Sequence, residues 1–284
     1  MKTYLECIPC FLRQALEAAK LAGADKKTQK KVLDEIALLL SGFPTDVTPP
    51  EIARTVYSVT EKYTGGIDAY KRIKEKSNDM AMALYPRLKN VVESSEDVLL
   101  SALRLAVAGN VIDYGVPHAF DIEDEIEECL VKDFAVFDLD EFRRDLANAK
   151  NILYILDNAG EIVFDKILIE EMDREIVCAV RGEPIINDVT MDDAVQVGLD
   201  KAVKVISSGS DIPGTVPQEC NKEFRAYYQA ADMVISKGQG NYETLEGEKR
   251  PIFFIFKAKC QVVADHLGCR VGDIILKDSR KARS

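Results

Sequence analysis

The spacing of apolar residues divides the chain near residue 150. Before that point it repeats at three and four: residues 10–21 follow this rhythm, as do Val32, Ile36, Leu39 and Leu40. That period lays one face of a helix against a core. Gly23, Gly42, the pair Gly65-Gly66 and the pair Pro49-Pro50 separate the runs, as residues that break helices should. Thr48-Pro49-Pro50-Glu51 reads as a helix start, with a capping threonine, proline in the first turn and a glutamate three residues on. Residues 95–111 predict a longer apolar helix, and residues 121–130 an acidic amphipathic segment.

Beyond residue 150 short apolar runs alternate with helical spacing. The runs cover 151–156, 175–180, 203–206, 233–235, 252–256 and 274–276; helical patterns fill 162–172, 189–197, 219–230 and 260–267. Continuous apolar runs between helices predict a parallel sheet covered on both faces. The expected architecture is α/β: an all-helical part over residues 1–148, then a Rossmann-like three-layer core with a mostly parallel sheet over 149–284. In such sheets ligands bind at the carboxyl ends of the strands.

Composition narrows the function. A chain of 284 residues, 47% of them hydrophobic, can bury a core without staples. Its formal net charge of −11 argues against nucleic acid, whose binding is carried by Lys and Arg. A divalent ion could still draw a small anion to an acidic protein. No stretch approaches the ~20 apolar residues of a membrane span, and the opening Met1-Lys2-Thr3-Tyr4-Leu5-Glu6-Cys7 lacks a signal core. A cytoplasmic protein with no membrane partner is expected.

Three polar clusters follow predicted strands. Asp157-Asn158-Ala159-Gly160-Glu161 supplies a carboxylate and an amide carbonyl, hard oxygen donors suited to Mg²⁺ or Mn²⁺. An Asx-turn that merely caps the next helix is the alternative. In Arg181-Gly182-Glu183-Pro184-Ile185-Ile186-Asn187-Asp188, Asp188 could complete the ion site and Arg181 could grip a phosphate; a helix cap and a surface ion pair are the plain readings. Lys237-Gly238-Gln239-Gly240-Asn241 offers a cation and approachable backbone amides for phosphoryl transfer, or a simple tight turn. Ser208, in the serine-rich run after a fourth strand, could lend a hydroxyl to the same pocket. The two histidines, His118 and His266, make no persuasive nucleophile set, and His118 reads as a loop or packing residue.

The seven cysteines form an odd, scattered set that reads as free thiols rather than a disulfide framework. Cys7-Ile8-Pro9-Cys10 is half of a zinc site. Cys260 and Cys269 could supply the rest if the C-terminus folds back; otherwise the pair is two buried thiols. Cys129 and Cys178 read as core.

Taken together, these clusters resemble the damage-control phosphatases, a family first grouped as domain of unknown function 89. The matching pieces are Asp157-Asn158-x-Gly160-Glu161, Arg181-Gly182-x-Pro184-x-x-Asn187-Asp188 and Lys237-Gly238-x-Gly240-Asn241, with Ala108-Gly109-Asn110-Val111-Ile112-Asp113 in the helical part. Cys7-x-x-Cys10 resembles the smaller, largely prokaryotic branch. The resemblance implies a Rossmann-like phosphatase of small phosphorylated metabolites that uses Mn²⁺, Co²⁺, Ni²⁺ or Mg²⁺. It puts the ion on Asp157, Asn158 and Asp188 and a phosphate on Lys237, with Asn110 and Asp113 near the pocket. Glu161 or Asp188 would serve as base, or Asp157 as nucleophile. Two alternatives remain: a carboxyl methyltransferase using S-adenosylmethionine, which a missing Gly-x-Gly-x-x-Gly disfavours, and a non-catalytic metal- or metabolite-binding protein. Oligomeric state is not legible.

Overall fold

The computed structural model describes residues 1–66, 68–109, 128 and 130–281. Among the described residues the chain opens with helices α1 (Cys7–Leu21), α2 (Lys26–Leu40), α3 (Pro49–Thr64), α4 (Lys71–Glu93) and α5 (Val98–Ala108). Their starts are set by side chains. Thr48 donates its backbone N–H and its hydroxyl to Glu51 at 2.9 and 2.7 Å, the capping box read from the sequence. Asp25 accepts from the Thr28 N–H at 2.7 Å and Asp97 from the Leu100 N–H at 3.1 Å, each such cap contributing about 1 kcal/mol. Helices α1–α3 enclose an apolar cluster around Phe11, Val32, Ile36 and Val56 that also receives Ile185 from the loop 181–190.

The remainder alternates: β1 (Phe134–Phe137), α6 (Leu139–Asn148), β2 (Ile152–Ile155), α7 (Glu161–Glu171), β3 (Ile176–Val180), α8 (Met191–Gln196), β4 (Lys204–Ser207), α9 (Lys222–Ala230), β5 (Met233–Lys237), α10 (Gln239–Leu245), β6 (Phe253–Lys257), α11 (Gln261–Leu267) and β7 (Ile274–Asp278). The strands form one sheet in the order β1-β7-β6-β5-β2-β3-β4. From β6 to β4 every pairing is parallel; β7 is antiparallel to β6, and β1 follows β7.

Period-two alternation builds the layers. Ile152 and Tyr154 join a core with α4, α5 and α7. Leu153 and Ile155 face the other way, toward Phe224 of α9, Tyr242 of α10 and Val263 of α11. Helix α7 is buried along most of its length, packed between the sheet and helices α4 and α5. The α/β class, the helical beginning and the mostly parallel sheet are as the sequence predicts.

Three details differ. Strand β1 lies inside the stretch expected to be all-helical; four residues with alternating exposure leave too short a signal to separate from a helix turn. The sheet also ends in two reversed strands. Helix α5 is described only to Ala108, and the acidic segment 121–130 lies almost wholly outside the described residues.

Candidate active site

Strands β5, β2 and β3 are neighbours and parallel, so the loops that leave them meet at one edge of the sheet. After β2 the chain runs outward through β3 and β4, then returns to place β5 on the other side. The carboxyl ends of β2 and β5 thus flank the switch point where open parallel sheets bind ligands. The loops after β2 and β3 are stitched together. Asn158 and Asp188 form an isolated antiparallel bridge; the Val189 N–H donates to the Asp157 carbonyl and the Ala159 N–H to the Asn187 carbonyl, both at 2.8 Å. Within this loop Ile186 has φ of +47°, a strained conformation for a β-branched residue that costs about 1–2 kcal/mol. Its neighbour Ile185, anchored among α1–α3, helps offset that strain.

Asp157, Asn158 and Asp188 are 7, 6 and 4% exposed. None caps a helix. The cap of α7 is Gly160, without a side-chain bond; its N–H donates to Asn78 Oδ1 of α4 at 2.7 Å. Helix α8 is capped by Thr190 and Asp193. The plain readings of the Asp-Asn pair and of Asp188 therefore do not hold.

Asn158 Nδ2 donates to Asp157 Oδ2 at 2.6 Å and to Glu161 Oε2 at 3.0 Å. Its carbonyl oxygen, the atom a cation would take, is on the opposite branch of the amide. Burial pushes the Asp157 carboxyl well above the usual range; Glu161 and Asp188 push the same way, and Lys259 and Arg181 offset them in part. Asp188 is raised by burial against the pull of Arg181, Lys74 and Lys259. Crowded buried carboxylates beside an oriented amide fit a divalent ion with oxygen ligands, whose charge would reverse this strain. Among the described residues no group of three or more His, Cys, Asp and Glu is arranged to hold a metal; the third donor here is an amide. At the N-terminus the charges of Cys10 and Cys260 both act on Cys7. They are part-buried free thiols, with Arg13 and Gln14 donating to Cys10 Sγ.

The two cations expected to hold phosphate are turned inward. Arg181, 3% exposed, donates Nε to Asp188 Oδ2 at 2.6 Å, Nη1 to Thr215 Oγ1 at 3.0 Å and Nη2 to Asn241 Oδ1 at 2.9 Å. Lys237, fully buried, donates to the Ala106 carbonyl at 2.9 Å, Glu161 Oε1 at 2.7 Å and Asp165 Oδ1 at 2.6 Å. All three ammonium hydrogens have acceptors, so Lys237 presents no idle donor to a substrate, while Arg181 commits one N–H of each of its three nitrogens to the protein. Sequence alone could not show this, because the acceptors come from distant segments.

A family model for the damage-control phosphatase ARMT1-like domain matches residues 3–275, nearly the whole chain. The chain belongs to the damage-control phosphatase family. It is 35% identical to the damage-control phosphatase of Pyrococcus horikoshii, over 97% of each chain. It is 32% identical to a damage-control phosphatase of Archaeoglobus fulgidus, over 98% of this chain and 99% of that one. A crystal structure of a DUF89-family protein from Pyrococcus horikoshii superimposes with a TM-score of 0.90 at 33% identity, covering 99% of this chain and 100% of that one.

The other residues expected from the sequence are placed as follows. Gly238 has φ of +82° and a Cβ there would overlap the Asp157 carboxyl group; only glycine admits that approach. A Cβ on Gly240 would strike the Pro213 carbonyl. Asn241, fully buried, donates to the Lys237 carbonyl at 2.7 Å while accepting from Arg181, so it ties β5 to Arg181 rather than facing solvent. Ser208 is buried, its hydroxyl accepting from the Ser210 N–H at 3.3 Å. Cys178 is buried in the core as expected. Asn110, Asp113, His118 and Cys129 lie outside the described residues.

Four residues escape sequence reading. Asp165 sits in an apolar helix and is fully buried; a lone acid in such a run was its signal. Lys74 and Asn78 share one face of α4 and reach Asp193 at 2.7 and 3.1 Å; their charged surroundings look like a solvated face. Lys259 is exposed beyond β6, its N–H held by Gln239 Oε1 at 2.8 Å, and its charge acts on both Asp157 and Asp188. A cavity of about 370 Å³ lies at the opposite end of the sheet, between Asn151, Arg174, Lys204 and Tyr227, away from these carboxylates. No helix of the described residues is long and apolar enough to cross a membrane.

Proposed function

We propose that this chain is a divalent-metal-dependent phosphatase of small phosphorylated metabolites, with Asp157, Asn158 and Asp188 as the ion's ligands. The observation that carries this reading is the pair of stitched loops, which gathers two buried carboxylates and an oriented amide at the switch point. Mn²⁺, Co²⁺, Ni²⁺ or Mg²⁺ suits such oxygen donors. When bound, the ion would neutralise phosphate charge and make a water molecule more acidic.

The chain's own residues divide the remaining work. Asp188 is held by Arg181 through Oδ2, which fixes its direction and keeps it ionised against burial; with Glu161 engaged elsewhere, Asp188 is the proton acceptor of this reading. Glu161 has both oxygens engaged, by Lys237 and Asn158, and acts by orienting the amide. Arg181 and Lys237 supply fixed positive charge behind the carboxylates, Lys237 with all three of its hydrogens bound within the protein. Lys259 adds an exposed positive charge that acts on Asp157 and Asp188. The relatives' names favour hydrolysis over methyl transfer.

The test is hydrolysis of p-nitrophenyl phosphate by purified protein with each of the four ions, beside Asp157→Ala. Activity that depends on added ion in the wild type, and is absent from a folded Asp157→Ala, supports the site. Wild-type activity in that variant refutes it. A screen of phosphorylated metabolites across the same ions would then name the substrate class.

A further inference from the structure

We infer that Asp165 is a positioning residue of this site: through Lys237 it fixes Glu161, and through Glu161 the direction of the Asn158 amide. The inference rests on the proposed ion site and extends it inward by two residues. A buried relay carries it. Tyr154 Oη donates to Asp165 Oδ1 at 2.8 Å, and Lys237 Nζ donates to the same oxygen at 2.6 Å and to Glu161 Oε1 at 2.7 Å. Glu161 Oε2 then accepts from Asn158 Nδ2 at 3.0 Å, and that nitrogen also reaches Asp157 Oδ2.

Each link depends on the one behind it. An amide can turn over, exchanging its oxygen and nitrogen. Here the flipped form would face two carboxylates with its oxygen, so Glu161 and Asp157 together hold the nitrogen inward. Glu161 keeps its place because Lys237 grips its other oxygen. Lys237, in turn, has three hydrogens and three acceptors, Glu161, Asp165 and the Ala106 carbonyl. Without Asp165, a long flexible side chain would lose one of its three anchors. Glu161 and Asp165 are four residues apart on α7, where like charges repel; the ammonium between them makes the pair tolerable.

Asp165 also needs an explanation on its own account. It is fully buried, and among the described residues its Oδ2 has no hydrogen-bond partner. A buried carboxylate with an idle oxygen is costly, and an apolar residue of that size would normally be the more stable choice. A role in holding Lys237 and Glu161 accounts for its presence; filling the core does not.

The test compares wild type, Asp165→Asn and Tyr154→Phe. Mn²⁺ affinity is measured by electron paramagnetic resonance without substrate, then kcat and KM for p-nitrophenyl phosphate at saturating Mn²⁺, with circular dichroism for folding. Asp165→Asn is expected to weaken Mn²⁺ binding at least tenfold and lower kcat, with KM changed less than threefold; Tyr154→Phe moves both in the same direction by a smaller factor. A folded Asp165→Asn that binds Mn²⁺ and turns over like the wild type overturns the inference while leaving the ion site standing. If Asp165→Asn does not fold, an unchanged Mn²⁺ affinity in Tyr154→Phe overturns it. A wild type that binds no Mn²⁺ overturns the ion site itself, and the inference with it.

Discussion

The α-carbon of Gly238 lies directly against the carboxyl group of Asp157, so close that a methyl group on Gly238 would occupy the carboxylate's own space. The contact joins the loop after β5 to the loop after β2, and a prediction about function starts from it.

Replacing Gly238 by Ala should displace the Asp157 carboxylate. The positive φ adds strain of about 1–2 kcal/mol, and displacement of a ligand by about 1 Å can cost roughly 100-fold in rate. We expect kcat with Mn²⁺ to fall by about that factor while circular dichroism stays native. Wild-type kcat in a folded Gly238→Ala would show that Asp157 can move without consequence.

Asp157 is crowded by burial and by Glu161 and Asp188, so the ion-free protein carries stored repulsion. Asp157→Asn keeps the shape and removes the charge. Without metal this variant should melt above the wild type; a gain of about 2 kcal/mol would appear as a rise of roughly 4 °C. Added Mn²⁺ should then raise the melting temperature of the wild type and leave the variant's unmoved. The reverse order without metal would mean that the carboxylates are not in conflict.

Arg181 serves Asp188, Thr215 and Asn241 with three separate nitrogens. Lysine keeps the charge but cannot reproduce a planar fork. Arg181→Lys is expected to lose about 3 kcal/mol in urea unfolding, in the range for broken buried pairs, and to lower kcat by releasing Asp188. Unfolding indistinguishable from wild type would contradict the three-way role.

Burial pushes Glu243 of α10 up to about 7, against the hydrogen bond from Gln239 and the charge of the amino terminus. The folded protein therefore holds this proton more tightly than the unfolded chain. Its contribution to stability is complete below about pH 4 and drains away as pH rises through about 7. Glu243→Gln removes the dependence. Between pH 5 and pH 8 the variant should gain on the wild type, by at most about 3 kcal/mol, in urea unfolding at the two pH values. A gain by the wild type over that interval would reverse the sign and refute the assignment.

Much of the fold was legible because two periods differ. Apolar repeats at three and four mark α1 and α2, the capping pattern at Thr48-Pro49-Pro50-Glu51 marks the start of α3, and unbroken apolar runs mark β2, β3 and β5. Strand β1 was hidden by its length, and the reversal of β7 by the fact that strand direction leaves no trace in a four- or five-residue run. The candidate donors Asp157 and Asn158 stood out because they follow β2 closely, and Asp188 because it lies in the loop that leaves β3. The work of Arg181 and Lys237 did not, since their acceptors, Thr215, Asn241, Ala106 and Asp165, are fixed by packing across distant segments. Asp165 carried a visible signal, a charge amid apolar residues, whose meaning needed Lys237 beside it.

Helix α5 supplies the Ala106 carbonyl to Lys237, and helix α4 supplies Asn78 to the Gly160 amide. A chimera spliced at residue 149 would inherit the acidic loops and leave behind two of the groups that hold them in place. Modular exchange along this chain must therefore keep α4 and α5 in the same cassette as the sheet, however separable the halves look on paper.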